Sequence, residues 1–253
     1  MKKIKILDVK IDSLDTKELE EKIKKFLYDD KANYIVTTNP EFVIRAGEDS
    51  EFKNILNKAD LSLADGFGLK LMSFLRGINI RRVSGADLML KICQIAEQEK
   101  KSVFFVGGAR DVAKDVALKL IERFEELEIA GAEHGLKFNS FDDKKYQEEN
   151  KKLLQRINNK KPDIIFVAFG APKQEKWIFQ NLDKIYGLKL AIGVGGSFDY
   201  YSKKVRRAPK AVRFIGMEWL WRFILQPWRF KRIFNAVIKF PLLFMIKQLF
   251  GGK

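Results

Sequence analysis

Two kinds of hydrophobic pattern alternate along the first 200 residues. In one, nearly every position of a short run is apolar or β-branched. Tyr34 to Thr38 (YIVTT) is such a run, and Leu61 to Ala64, Val103 to Val106, Ile164 to Phe169 and Leu190 to Val194 repeat it. Each predicts a buried strand. In the other, apolar residues recur three and four positions apart among charges, as in Asp87 to Glu99, Asp111 to Leu127 and Asp142 to Asn158. Each of these predicts an amphipathic helix. Asp15, with Glu18 three residues later, marks a further helix start. Strand–helix alternation predicts an α/β fold with a mostly parallel sheet and helices on both faces.

The pattern changes after Ser202. From Lys203 onward there are thirteen basic residues and one acid, Glu218, a net of +12 out of +15 for the whole chain. The same stretch holds three of the four Trp and seven Phe. The expected organisation is a Rossmann-like catalytic domain over 1–202 and a basic, aromatic, helical appendage over 203–253. At 253 residues and 46% hydrophobic, the chain can bury a large core and is not disordered. A single Cys excludes an intramolecular disulfide framework and suits a reducing cytoplasm. With only one His beside it, no His/Cys zinc site is expected. Lys5, Asp8 and Lys10 interrupt the N-terminus, so no signal peptide is expected. No window reaches the ~18 uncharged apolar residues of a spanning helix.

Ligands of such sheets bind beyond the carboxyl ends of the strands. Four of the five strand-end loops carry glycine: Asp65-Gly66-Phe67-Gly68, Gly107-Gly108-Ala109-Arg110, Gly170-Ala171-Pro172-Lys173 and Gly195-Gly196-Ser197-Phe198-Asp199. Glycine lets backbone N–H groups approach a ligand, and a following helix offers its positive end to phosphate. Together they point to a phosphate-bearing ligand. G-x-x-x-x-G-K-[ST] and a strand-borne G-x-G-x-x-G are absent, which argues against an NTPase or a dinucleotide oxidoreductase. No D-x-D occurs, so neither metal nor cofactor is expected. Arg, Lys and helix N-termini would then have to neutralise a leaving diphosphate. Asp65 suits either a helix N-cap or a catalytic carboxylate, and Asp199 is open in the same way. His134 suits a loop hydrogen bond, and Cys93 a core position.

The motifs at these loops carry a resemblance. T-x-N-P-E (Thr37 to Glu41), A-D-G-x-G (Ala64 to Gly68), R-V-x-G-x-D-L (Arg82 to Leu88), G-A-P-K-Q-E-x-W-I (Gly170 to Ile178) and G-V-G-G-x-F-D (Gly193 to Asp199) stand in order. R-A-P (Arg207 to Pro209), G-x-E-W-L-x-R (Gly216 to Arg222) and Q-P-W-R-x-K-R (Gln226 to Arg232) follow. Over almost its whole length the chain resembles the WecG/TagA/CpsF glycosyltransferases. One departure is Phe230, where relatives often carry Arg.

The resemblance implies inverting transfer of a sugar from a UDP-sugar to an undecaprenyl-diphosphate-linked sugar, without a metal. The first expectation is N-acetylmannosamine moving onto N-acetylglucosamine, in wall teichoic acid or polysaccharide synthesis. UDP-N-acetylmannosaminuronic acid or UDP-glucose are the alternative donors. The resemblance makes Asp65 the general base. It places Thr37, Asn39 and Gln174 in the substrate pocket and links Arg82 to activity. Donor contacts are expected from Gly107, Gly108, Ala109, Gly170, Lys173, Gly195, Gly196 and Asp199. Acceptor, lipid-diphosphate and membrane contacts are expected from Arg213, Arg222, Trp228, Arg229 and Arg232. Relatives can self-associate, so a homo-oligomer is an option.

A lipid-held acceptor gives the tail a purpose. On a helix at about 100° per residue, Phe230, Ile233, Phe234, Val237, Ile238 and Phe240 fall in one arc of roughly 160°. Arg229, Lys231, Arg232 and Lys239 fall in the other, with Trp228 on the basic side. This is the pattern of a helix lying in an anionic membrane surface. The alternative is that the apolar arc packs on the catalytic domain. Residues 211–225 are apolar nearly all round and are expected to be buried in protein or at the membrane. The expected place is therefore the cytoplasm, peripheral on the inner face of the bacterial membrane. A nucleic-acid partner is not expected, since it would explain the basic and aromatic tail but not the glycine loops. A non-catalytic membrane scaffold would leave Asp65, Thr37 and Asn39 unexplained.

Overall fold

The computed structural model describes residues 2–202 and 205–250. Its strands are β1 (Lys2–Ile6), β2 (Val9–Ser13), β3 (Asn33–Thr38), β4 (Leu61–Ala64), β5 (Val103–Gly107), β6 (Ile129–Glu133), β7 (Ile164–Ala168) and β8 (Leu190–Gly193). They form one eight-stranded sheet in the order β1-β2-β4-β3-β8-β7-β5-β6. The β1–β2 pair is antiparallel, and the registered pairs β2–β4, β3–β8, β8–β7, β7–β5 and β5–β6 are parallel. Between the strands run α1 (Thr16–Tyr28), α2 (Pro40–Glu48), α3 (Ser50–Lys58), α4 (Phe67–Phe74), α5 (Gly85–Gln98), α6 (Val112–Ile121), α7 (Lys144–Lys160) and α8 (Lys173–Asn181). After β8 come α9 (Ser197–Tyr201), α10 (Lys210–Phe214), α11 (Glu218–Leu225), α12 (Phe230–Phe234) and α13 (Phe240–Phe250). The five strands expected from hydrophobic runs are all present. The fold is α/β, with a mostly parallel sheet and C-terminal helices.

The chain forms two compact units. The first draws on Met1–Thr16, Val36–Ser84 and Val205–Lys253. Here β1 and β2 make a hairpin closed by Leu7 and Asp8, both at positive φ (47° and 68°). That is the turn whose twist suits a two-residue hairpin. The Asn57 side chain holds it, donating to Asp8 O (3.0 Å) and accepting from Lys10 N–H (2.8 Å). Deeper in, Asp12 Oδ2 accepts from Ser62 N–H at 2.9 Å. The Thr38 and Ser62 hydroxyls pair at 2.8 Å. The boundary expected between 202 and 203 falls beside residues 203–204, outside the described residues. Residues 205–250 fold in the same unit as 36–84.

The second unit draws on Lys17–Ile35 and Gly85–Lys204. Every residue of β5, β7 and β8 is buried. Successive side chains point to opposite faces, so both faces of the sheet are covered there. Phe105 stacks on Phe166 at 5.3 Å and meets Phe198 edge-on at 5.9 Å. Cys93 is buried in α5, and burial pushes its thiol well above the ordinary value. It is a core residue, as its position in an apolar stripe indicates.

Candidate active site

The T-x-N-P-E segment builds the turn from β3 into α2. Asn39 is the N-cap of α2, its Oδ1 accepting from Phe42 N–H at 3.1 Å. Pro40 occupies the first turn, where its missing N–H costs nothing, and Glu41 adds an acid beside the positive helix end. Next to this turn, Asp65 follows β4, and its backbone N–H donates to Thr38 O at 2.7 Å. Arg82 bridges to Ala64, with Val83 N–H donating to Ala64 O at 2.8 Å. Thr37, Asn39, Asp65 and Arg82 therefore stand on three backbone segments laid side by side.

The N-cap of α4 is Gly66, at φ 96°, and Asp65 stands one residue earlier. Gly68 is closely packed. A Cβ there would lie 3.1 Å from Pro40 Cγ, 3.6 Å from Ala236 O and 3.7 Å from Phe240 Cδ1. One glycine of A-D-G-x-G thus admits both the α2 turn and the C-terminal tail.

The tail meets this unit through charge as well. Arg82 Nη2 donates to Glu218 Oε2 at 2.8 Å, and Arg82 Nη1 donates to Arg213 O at 3.1 Å. Arg222 Nη2 lies 3.7 Å from Glu218 Oε1, so two guanidinium groups share one largely buried carboxylate. Arg207 Nη2 donates to Ser84 Oγ at 2.9 Å. Further along, Arg232 pairs with Glu41 (2.8 Å), Lys239 with Glu48 (2.7 Å) and Lys247 with Asp8 (2.7 Å). The hydrogen-bonding ammonium groups of Lys239 and Lys247 hold Glu48 and Asp8 below their ordinary values. Glu218 and Glu41 were not among the expected site residues. The signal was available, because Glu218 is the one acid of the tail and Glu41 ends a quoted motif.

The helix expected over Trp228–Phe240 is present, within an unbroken helical run over 227–250, but it is not a regular α-helix. Pro227–Arg229 is a 3₁₀ turn, Phe230–Phe234 is α-helical and Asn235–Lys239 is a π-helical turn before α13. Pro227 opens the run, where proline is tolerated. Arg232 and Lys239 point to carboxylates of their own unit and not to a free headgroup-facing surface. Phe230, Phe234 and Ile238 are exposed, whereas Phe240 is buried, beside Gly68. Residues 211–225 are not buried in protein: Phe214 is 89% exposed, and Ile215, Trp219, Ile224 and Leu225 are also exposed. Gly216, at φ 80°, divides the stretch into α10 and α11. Trp228 is exposed, and the Arg229 side chain lies outside the described residues.

In the second unit the strand ends of β5, β6 and β7 surround a cavity of about 680 Å³. It is lined by Gly108, Ala109, Arg110, His134, Gly135, Leu136, Lys137, Ala168 and Phe169. Gly107, at φ 130°, has no room for a Cβ, which would meet Ala168 O at 2.5 Å. The backbone there stays bare, as a phosphate cradle needs. His134, Leu136 and Lys137 follow β6, a half-exposed strand whose sequence, IAGAE, carries no apolar run. That is why sequence reasoning placed no ligand contacts on them.

Gln174 is buried, with its amide engaged. Its Oε1 accepts from Gly170 N–H (3.2 Å) and Gly195 N–H (3.0 Å), and its Nε2 donates to Glu175 Oε1 (2.7 Å). It staples the loop after β7 to the loop after β8. Burial, with the nearby Glu175 carboxylate, pushes the Tyr34 phenol well above its ordinary value. Lys173 donates to Phe138 O and lies over the Phe138 ring. Trp177 Nε1 donates to Asn150 Oδ1 at 2.6 Å, so the Trp of the G-A-P-K-Q-E-x-W-I motif anchors α8 to α7. The Ala171–Pro172 bond is cis. Gly196 is the N-cap of α9, and Asp199 lies in its first turn. Among the described residues no cluster of His, Cys, Asp and Glu could hold a metal ion, and no helix is long and apolar enough to cross a membrane.

The family model described as "Glycosyl transferase WecG/TagA/CpsF family" matches residues 4–253. The chain is 33% identical over 215 residues to the N-acetylglucosaminyldiphosphoundecaprenol N-acetyl-beta-D-mannosaminyltransferase of Bacillus subtilis (strain 168), covering 84% of this chain and 80% of that protein. The protein of that name from Staphylococcus aureus (strain MRSA252) is 31% identical over 234 residues, covering 91% and 88%. With a match over nearly its full length, the chain belongs to the WecG/TagA/CpsF family of glycosyltransferases.

Proposed function

We propose that the protein transfers N-acetylmannosamine from UDP-N-acetylmannosamine to undecaprenyl-diphosphate-linked N-acetylglucosamine, with inversion, at the inner face of the cell membrane. The product would feed wall teichoic acid or a related surface polysaccharide. The names of the relatives support the transferred sugar and the lipid-linked acceptor, and the family resemblance supports UDP as the carrier. The observation that carries the chemistry is the juxtaposition of Asp65 with the Arg82–Glu218–Arg222 cluster in one unit.

In the proposed reaction the acceptor hydroxyl oxygen attacks the anomeric carbon as the bond to UDP breaks. Its proton passes to the Asp65 carboxylate, and UDP leaves with the bonding electron pair. Thr37 and Asn39, on the neighbouring strand end, position the acceptor sugar. Arg82 and Arg222 supply fixed positive charge toward diphosphate. Arg213 and Arg229, with Trp228, bring the tail to the lipid-linked diphosphate, while Arg232 stays with Glu41. The cavity after β5, β6 and β7 takes the nucleoside diphosphate, with Gly108 and Ala109 presenting backbone N–H groups and Arg110 and Lys137 neutralising charge. Gly195, Gly196 and Asp199 border the same donor. The exposed Phe230, Phe234 and Ile238 rest on the leaflet that holds the acceptor.

A transfer assay on detergent-dispersed, lipid-linked N-acetylglucosamine diphosphate with EDTA tests this reading. UDP-N-acetylmannosamine should be consumed at least about a hundredfold faster than UDP-N-acetylmannosaminuronic acid or UDP-glucose, since a site built for one polar group rejects its replacement by such ratios. Preference for another donor would overturn the sugar assignment. UDP binding without transfer to the lipid would overturn the acceptor.

A further inference from the structure

Helix α4 is apolar on the outside. It begins two residues after Asp65, and its buried residues are Leu69, Met72 and Ser73. Phe67 (37%), Leu71 (40%), Phe74 (67%) and Leu75 (65%) are exposed. Their spacing of four, three and one places them along a single stripe. Water-facing stripes on soluble helices are polar, whereas this one is apolar, like the buried face. The charges within the helix and the turn after it are basic. From Gly66 to Ala86 the chain has Lys70, Arg76, Arg81 and Arg82 and no acid.

The tail packs against α4 and the turn after it. Gly216 sits against the Phe67 ring, where a Cβ would come within 2.4 Å of Cδ2. The Arg76 guanidinium lies over the Phe244 ring at 5.5 Å. On α13, Leu242, Met245 and Ile246 are exposed. All these residues belong to one unit.

We infer that α4 is a second lipid-contacting element, inserting Leu71, Phe74 and Leu75 into the acyl region of an anionic leaflet while Lys70 and Arg76 meet its headgroups. The inference rests on the membrane part of the function proposed above and adds a contact carried by the catalytic unit itself. An apolar stripe flanked by Lys70 and Arg76 is complementary to such a surface. Because α4 follows Asp65 directly, its insertion sets the height of the carboxylate above the bilayer. The lipid-linked sugar is then presented to Asp65 by geometry and not only by affinity.

The single buried Cys93 makes the test direct, since an introduced surface cysteine is the one that labels. Full-length Phe74→Cys, Leu242→Cys on the tail and Leu118→Cys on α6 are each labelled with an environment-sensitive fluorophore. Each is titrated with phosphatidylglycerol–phosphatidylcholine vesicles containing spin-labelled acyl chains. The expected result is an emission rise of several-fold and acyl-chain quenching at positions 74 and 242, with position 118 unchanged. A response at 242 without one at 74 overturns the α4 contact and leaves the tail reading standing. No response at either overturns both. A rise at 74 that follows protein concentration without vesicles overturns it in favour of a second copy of the chain. In unlabelled protein, Phe74→Ser with Leu75→Ser should weaken vesicle binding at least about tenfold while UDP binding is unchanged, as expected for two partly inserted apolar side chains.

Discussion

Arg82, in the segment laid against the end of β4, donates to Glu218 of the C-terminal tail at 2.8 Å. The pair joins a family motif at the strand ends to the one acid in a tail that is otherwise basic. Glu218 fixes where the Arg82 guanidinium points and draws Arg222 toward the same place. The tail is therefore tied to the segment beside Asp65, and in the proposed function it also reaches the membrane.

Breaking that pair should cost activity before it costs binding of the donor. Glu218→Gln leaves a neutral acceptor for Arg82, and charge-assisted bonds of this kind contribute about 1.5–3 kcal/mol. Transfer should fall by about tenfold or more, with UDP affinity unchanged. Arg82→Lys should fall further, because one ammonium cannot span both Glu218 and Arg213 O. If Glu218→Gln matches wild type in a steady-state transfer assay, the tail does not position Arg82.

Gly68 should tolerate no side chain without loss of tail docking. Gly68→Val forces atoms into Pro40 and Phe240, and overpacking of this kind costs about 1–3 kcal/mol. Faster cleavage after 205 by limited proteolysis, with a lowered Tm, is the expected result. Unchanged proteolysis would show that Phe240 does not depend on this contact.

The outer ion pairs give docking a pH dependence. Glu48 and Asp8 are held below their ordinary values of 4.5 and 3.8 by Lys239 and Lys247. Groups lowered in the docked state stabilise it fully above those ordinary values, and the contribution disappears as pH falls through the lowered ones. A fluorophore at Leu242→Cys should therefore gain mobility by anisotropy below about pH 4.5, earlier than one at Leu118→Cys. Glu41→Gln with Glu48→Gln should reproduce part of that gain at pH 7. Exposed pairs are individually weak, so the effect of either alone should be small. Coincident acid transitions at the two labels would rule out a tail-specific latch.

Gln174→Ala removes an acceptor shared by two half-buried loop N–H groups. Leaving such groups without it costs up to about 1–3 kcal/mol each. The variant should lose stability in urea and bind UDP more weakly, because both loops border the proposed donor site. Gln174→Glu keeps the acceptor but sets a second carboxylate against Glu175 and should recover little. A stable Gln174→Ala protein with normal UDP affinity and no transfer would instead make Gln174 a residue of the chemical step.

The strands that were legible in the sequence are the buried ones. YIVTT, VFFV and IIFVA are apolar on both faces because both faces are covered. The hairpin β1–β2 was not legible, because Lys2, Lys3 and Lys5 face water at a sheet edge and its turn uses Leu7 and Asp8 rather than glycine. Strand β6 was missed because Ile129–Glu133 is half-exposed. In the site, Asp65 and the glycine loops stood out as strand-end residues. The Arg82–Glu218 pair did not, since it joins positions 136 residues apart and no periodicity links them. The tail showed its charge and aromatic content, but the helical wheel put Arg232 and Lys239 toward lipid. Carboxylates on α2 claim both, a tertiary contact that a wheel cannot contain.

The central claim is that Asp65 takes the acceptor proton. Single-turnover transfer from UDP-N-acetylmannosamine to the lipid-linked acceptor, in wild type and Asp65→Asn, tests it most directly when UDP affinity is measured in parallel. Loss of a positioned base predicts a rate reduced by about 10²–10⁴-fold with UDP affinity unchanged. An Asp65→Asn protein that turns over at a near-normal rate would contradict the account.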